Sequence, residues 1–169
     1  MTTFNELQKF KNTWFWFILA GGSIYLIVNI LIYKKSITFL PPSIHFIMLF
    51  STLGSAIVFW VMRLKTKIDS TGIEVQLSAF ARSKHEWKWG EIKRAYVRQY
   101  KPLLEYGGWG IRYSFKNGRA FNVKGKIGLQ LELNDGKKIL IGTQQKDELN
   151  TVLAYLRNQY RIECIEVTA

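Results

Sequence analysis

Two long uncharged runs near the N-terminus constrain this chain more than any other feature. The first, WFWFILAGGSIYLIVNILIY, covers residues 14–33, and the second, IHFIMLFSTLGSAIVFWVM, covers residues 44–62. A helix rises about 1.5 Å per residue, so each run would span roughly the 30 Å of a bilayer core. The pattern predicts two transmembrane helices. A signal peptide is the less favoured alternative, because its apolar segment has only about 7–15 residues.

Basic residues flank the two runs unevenly. Those outside the pair are Lys9, Lys11, Arg63, Lys65 and Lys67, whereas the connecting segment 34–43 has only Lys34 and Lys35. Because basic flanks favour the cytoplasmic side, the N-terminal segment 1–13 and the C-terminal part are both predicted to be cytoplasmic. The connecting segment is then extracytoplasmic.

Small and polar residues inside the runs predict how the two helices pack. Two groups of small residues lie at matched depth, where they would let the helices approach closely. These are Gly21, Gly22, Ser23, Gly54, Ser55 and Ala56. Asn29 and His45 also lie at comparable depth, and a hydrogen bond between these intramembrane polar side chains is expected.

After residue 62 the apolar residues alternate with polar ones, as they do in half-buried strands. The clearest case is GLQLEL followed by KKILIGT across Asp135-Gly136, the strongest short-range signal for a hairpin. The last pattern, KDELNTVLAYLRNQY, places apolar residues at helical spacing with acids in its first turn. About seven antiparallel strands and one C-terminal helix predict a small open barrel, or a pair of sheets, capped by that helix.

Several of these segments together resemble a known family. The succession KIDSTGIEV, HEWKWGEI, GGWGIR, GLQLELNDGKKILIGTQ and DELNTVL is similar to bacterial pleckstrin-homology-like (PH-like) domains that follow two membrane spans. The resemblance covers residues 64–160 and leaves 161–169 as a tail. It implies a module at the bacterial inner membrane that binds or assembles a partner.

The glycine-rich segment GGWGIR is predicted to be a structural bend. A phosphate-binding loop opens a helix, whereas these glycines open a strand. Gly107, Gly108 and Gly110 are therefore expected to have positive φ angles. Trp109 and Arg112 form a groove for a partner or ligand only if Trp109 is exposed beside Arg112.

No catalytic motif is present in the sequence. The patterns HExxH, CxxC and GxSxG are absent, as are GxxxxGKS and GxxxxGKT. These patterns build metal sites, activated nucleophiles and nucleotide cradles. His85 lies among lysines and tryptophans and is expected to be a surface residue. The sequence predicts a protein that is not an enzyme and has no cofactor or metal.

Positive charge predominates in residues 64–169, which contain 19 Lys or Arg residues and 11 Asp or Glu residues. A patch that contacts anionic lipid is predicted at Arg63, Lys65, Lys67, Lys93, Arg94 and Arg98. A merely solvated surface is the open alternative. Nucleic acid is not favoured, because a domain held at a bilayer meets anionic lipid first. The turn at residues 69–72 has no Lys or Arg, so the phosphoinositide binding of eukaryotic PH domains is not expected.

The sequence therefore predicts a membrane-anchored, non-catalytic binding or assembly module. It would hold a protein partner, or another copy of itself, at the inner membrane. The alternative is a sensor that binds an anionic lipid surface through its basic face.

Overall fold

A computed structural model describes residues 3–10, 13–32, 42–78 and 82–166. The chain divides into two compact units. One unit is helical and comprises Lys11–Val61, and the other comprises Met1–Phe10 together with Met62–Ala169.

The helical unit contains α1 (Thr13–Ile32) and α2 (Pro42–Val61), which pack against each other. Leu26 is buried in this unit. In α2 the Thr52 hydroxyl donates to the Met48 carbonyl and the Ser55 hydroxyl donates to the Thr52 carbonyl, both at 2.7 Å. These hydroxyls therefore bond within their own helix.

The prediction of two transmembrane helices is wrong. Within the described residues, no helix is both long enough and apolar enough to cross a membrane. The runs were identified by their length and their lack of charged residues, which do not by themselves establish that a helix crosses a membrane. The predicted inner-membrane location and the orientation of both termini depended on these spans and are withdrawn with them.

The glycines predicted to pack between α1 and α2 have no described neighbour at van der Waals distance, and the predicted contact stays a prediction. Among the described residues, no atom lies within 4 Å of an added Cβ at Gly21, Gly22 or Gly54, each helix's own nearby backbone apart. A close helix contact would place the other helix there. Ser23, Ser55 and Ala56 are half-buried, and their part in packing stays a prediction.

The predicted hydrogen bond between Asn29 and His45 concerns side chains outside the described part of the structure. It stays a prediction.

The first sheet of the second unit contains four antiparallel strands in chain order. They are β1 (Phe4–Lys9), β2 (Arg63–Ile68), β3 (Gly72–Ser78) and β4 (Arg82–Lys88). β1 precedes the helices and β2 follows them, and the two strands pair from Phe4 with Ile68 to Lys9 with Arg63. In chain order, the helical unit therefore lies between two strands that pair with each other.

The second sheet follows a 3-10 turn at Trp89–Glu91 and contains six strands. They are β5 (Ile92–Gln99), β6 (Gly110–Ser114), β7 (Gly118–Asn122), β8 (Ile127–Leu133), β9 (Lys138–Thr143) and β10 (Ile165–Glu166). Their order is β10-β5-β8-β9-β7-β6. β5 pairs with β10 and β7 pairs with β9 in parallel, and the other pairs are antiparallel. A short helix, α3 (Pro102–Tyr106), connects β5 to β6.

The predicted C-terminal helix is present as α4 (Lys146–Tyr160). Its buried side chains are Leu149, Val152, Leu153 and Leu156. α4 packs against β1 and β10, and Leu149 reaches the interior beside Phe4 and Ile68. This apolar stripe explains why the helix was recognisable from its spacing.

Polar side chains of β1 tie that strand to the second sheet. Phe4, Glu6 and Gln8 alternate on its buried face. The Glu6 carboxylate accepts from the Thr143 hydroxyl at 2.7 Å and from the Gln144 N–H at 2.8 Å. Gln8 Nε2 donates to the Gly142 carbonyl at 2.6 Å. We call this edge of the first sheet the closed edge.

The predicted fold class is therefore wrong. The described residues form two sheets with ten strands in total, not a membrane hairpin and an open barrel of about seven antiparallel strands, and two strand pairs are parallel. Alternation identifies a strand but does not identify its partner. β1 and β10 also lie outside the segment 64–160 for which the barrel was predicted.

Candidate binding groove

An open groove of about 1050 Å³ lies between β4 of the first sheet and the β6, β7 and β9 region of the second. β4 is the last strand of its sheet, so we call this side the open edge. Aromatic residues that line the groove are His85, Trp87, Tyr113 and Phe115. A groove of this volume is large enough for a small ligand or a peptide segment.

One wall of the groove consists of aromatic rings that pack against each other and against a buried ring. The rings of His85 and Trp87 stack with centroids 6.0 Å apart, and both contact Phe121, at 5.0 Å and 6.0 Å. Phe121 is fully buried. Burial, together with the charge of Arg119, lowers the pKa of His85. His85, predicted to be a surface residue, lies in the wall of the open groove with its side chain half-buried.

The other wall is exposed and apolar. Along β6 and the residue after it, Ile111, Tyr113 and Phe115 alternate on one face and are 44%, 69% and 100% exposed. Tyr113 and Phe115 contact each other edge to face, with centroids 5.8 Å apart. Exposed aromatic residues of this kind are typical of recognition surfaces.

Cations line the same groove. They are Lys116, Arg119, Lys137 and Lys138. Lys137 forms an ion pair with Asp135 at 2.6 Å, whereas within the described residues Lys116, Arg119 and Lys138 form none. Arg119 pairs with Tyr113 on one side and Ile139 on the other, so its side chain shares their face of the sheet.

At one end of the groove, hydrogen bonds connect the 3-10 turn at Trp89–Glu91 to the turn between β8 and β9. Asn134 donates its backbone N–H to Glu91 O at 3.0 Å and its side-chain amide to Gly90 O at 2.8 Å. Glu91 and Asp135 add negative charge at this end. Asp135 is paired with Lys137, and the groove lining as a whole has four cations against two carboxylates.

Trp109 and Arg112, the predicted groove residues, lie apart from this groove. Trp109 is half-buried, and Arg112 Nε donates to the Trp109 carbonyl at 2.8 Å. The predicted positive φ angles at Gly107, Gly108 and Gly110 are confirmed, at 69°, 127° and 108°. The segment is a bend that leads into β6.

The predicted basic patch is divided between the two sheets. Arg63 and Lys65 are exposed and Lys67 is half-buried, all on the outward side of β2. Lys67 forms an ion pair with Asp69 at 3.0 Å. Lys93, an exposed residue of β5, belongs to the second sheet.

Carboxylates neutralise the other two members of that patch. Arg94 forms two hydrogen bonds with Glu166, at 2.7 Å and 2.9 Å. Arg98 forms an ion pair with Glu105 at 2.8 Å and a hydrogen bond with Gln130 at 3.0 Å. A single basic face that includes all six predicted residues is therefore not formed.

Comparisons with known protein families and with curated proteins find no match to this chain. The resemblance to PH-like domains stays a prediction. Across the residues that the structure describes, no three His, Cys, Asp or Glu side chains converge on a metal position.

The groove residues Tyr113, Phe115 and Arg119 were not predicted from the sequence. Their signal is the alternation in GIRYSF, which predicts an apolar strand face. Alternation does not reveal whether another strand covers that face.

Proposed function

We propose that this protein is a non-catalytic module that binds a protein partner in the groove at the open edge. The observation that carries the proposal is the exposed pair Tyr113 and Phe115 beside Arg119, which has no ion-pair partner within the described residues. Aromatic residues and arginine are the side chains most enriched at binding hot spots.

The environment of His85 supports binding rather than catalysis. Its ring contacts Trp87 and Phe121 and lies near Arg119. General-base catalysis needs a nucleophile within hydrogen-bond reach of the base and a third group to orient it. Over the described part of the chain, His85 is not hydrogen-bonded to such groups.

Photo-crosslinking of the full-length chain tests the proposal. We place p-benzoylphenylalanine at position 115 in the groove or at position 104 as a control, because Leu104 is 81% exposed but lies outside the groove. A protein adduct should form from position 115 and not from position 104. Tyr113→Ser should abolish this adduct, and Leu103→Ser should preserve it. Adducts that are identical from both positions would refute the proposal.

A further inference from the structure

We infer that the partner contributes an extended segment that pairs with β4 as a fifth strand of the first sheet. This inference rests on the proposed function and specifies how the groove is occupied. A strand added to a free sheet edge gains backbone hydrogen bonds, while its side chains fill the neighbouring pockets.

The backbone of β4 has a free side. Asp69 N donates to Gly72 O at 3.1 Å, so the backbone groups of Gly72 point towards β2. Gly72 pairs with Lys88 in an uninterrupted β3–β4 register, so the Lys88 groups point away from β3. In agreement, Lys88 N donates to Glu91 Oε2 at 3.1 Å.

The direction of the backbone N–H and C=O groups alternates along a strand, so those of Lys84 and Glu86 also point away from β3. In the described part of the chain, no strand pairs with that side of β4. Two successive outward residues offer two N–H donors and two carbonyl acceptors. An unpaired edge of this kind is a template for another strand.

Side chains of β4 pack on only part of the second sheet. Phe121 of β7 is covered by His85 and Trp87. One strand further out, Tyr113 of β6 is exposed. Beside β4 the groove is lined by side chains from four strands of the second sheet, Leu133, Ile139, Arg119 and Tyr113. A strand added to the free side of β4 would therefore lie over these side chains.

Charge complementarity indicates the chemistry of that segment. Side chains that face Tyr113 and Phe115 should be apolar, and one that faces Arg119 should be acidic. The formal charge of the chain is +12, which disfavours a second copy as the occupant. The carboxylate of Glu91, which also lines the groove, disfavours a polyphosphate backbone. An acidic and apolar peptide therefore fits better than a nucleic acid.

A designed peptide tests strand addition without altering the protein. The peptide has about ten residues, alternates threonine with valine and carries one central glutamate in place of a valine. Two N-methylated versions block alternate sets of backbone N–H groups. In strand addition only one set faces β4, so one version should lose at least about tenfold in Kd and the other should bind like the parent peptide. Fluorescence anisotropy with the full-length chain measures both.

The acidic position has its own control. Glutamate should bind more tightly than glutamine at the central position, and Arg119→Gln should remove this preference. Lys137→Gln should preserve it, because Lys137 is already paired with Asp135.

Three results would overturn the inference. They are equal binding of the two N-methylated peptides, no peptide binding at about 1 mM, and tighter binding of an oligothymidine of similar length. If the peptide result is negative but the adduct from position 115 persists, strand addition fails and the proposed protein-binding function stands. If no protein adduct forms from position 115, the proposed protein-binding function is refuted, whatever the peptide result.

Discussion

The two edges of the first sheet differ in what lies against them. At the closed edge, Glu6 and Gln8 of β1 form buried hydrogen bonds with the end of β9 and the residue after it. At the open edge, β4 faces exposed Tyr113 and Phe115 across a groove. Within the described residues, β1 is thus held to the second sheet by its own side chains, whereas no strand pairs with the free side of β4. We expect the first edge to contribute more to stability, and we propose the second as the site of recognition.

The largest expected effect tests the closed edge. Glu6→Ala removes the acceptor for the Thr143 hydroxyl and the Gln144 N–H, and an unsatisfied buried donor costs about 1–3 kcal/mol. We expect a loss of about 3 kcal/mol in the free energy of unfolding. Urea unfolding followed by tryptophan fluorescence measures it. Asn5→Ala, on the outward side of the same strand, should change this free energy little; equal effects would show that the hydrogen bonds do not stabilise this edge.

The next effect concerns the wall of the open edge. Gly118 has a φ of +75°, and an added Cβ would overlap the Lys138 carbonyl. Gly136 has a φ of +82°, but an added Cβ there meets no described atom within 4 Å. We expect Gly118→Ala to cost about 2 kcal/mol and Gly136→Ala about 1 kcal/mol, because only the first adds a steric overlap. Thermal and urea unfolding compare the two, and equal costs would contradict the close approach of β7 to β9.

A pH effect tests the turn between β2 and β3, inside the first sheet. The Thr71 hydroxyl, with Lys67 and the N–H groups of Thr71 and Gly72, lowers the pKa of Asp69 to about 2. The folded chain thus favours the ionised carboxylate, so its contribution is complete above the unfolded pKa of about 4 and is lost as the pH falls towards 2. We expect Asp69→Asn to remove roughly 1–2 kcal/mol of pH dependence in this window.

Urea unfolding at intervals between pH 2 and pH 5 makes this measurement. Asp135→Asn is the matched control, because Asp135 also accepts hydrogen bonds in a turn but is more exposed. An unchanged pH profile in Asp69→Asn would contradict the assignment.

The smallest expected effect on stability is at the open edge. Phe115 is 100% exposed, so Phe115→Ser should change the free energy of unfolding by less than about 0.5 kcal/mol. The same substitution should weaken binding of the designed peptide. Leu104→Ser serves as the control for both measurements. Marked destabilisation by Phe115→Ser alone would mean that this ring stabilises the fold rather than contacting a partner.

Local pattern predicted some elements of the fold well. The hairpin of β8 and β9 followed from strict alternation around an Asp-Gly turn, and α4 followed from its apolar spacing and acidic first turn. Both signals arise from neighbouring residues. β1 was missed because its inward face alternates Phe4 with Glu6 and Gln8, so its pattern is polar. The hydrogen bonds that justify this pattern come from residues more than 130 positions away.

The absence of charged residues in the two N-terminal runs led to the wrong prediction of membrane spans. It marked the two helices but did not establish that they are apolar enough to cross a membrane. The candidate site was missed for a different reason. GIRYSF predicts an apolar strand face, but only the tertiary structure determines that β4 stops short of covering it.

By itself, the sequence determined elements such as α4 and the β8–β9 hairpin, because alternation, turn residues and helical spacing act over a few positions. Tertiary structure decided which strands pair, which polar side chains are buried and where an edge stays unpaired. Those outcomes depend on contacts between residues that are distant in the chain, and no local pattern encodes them.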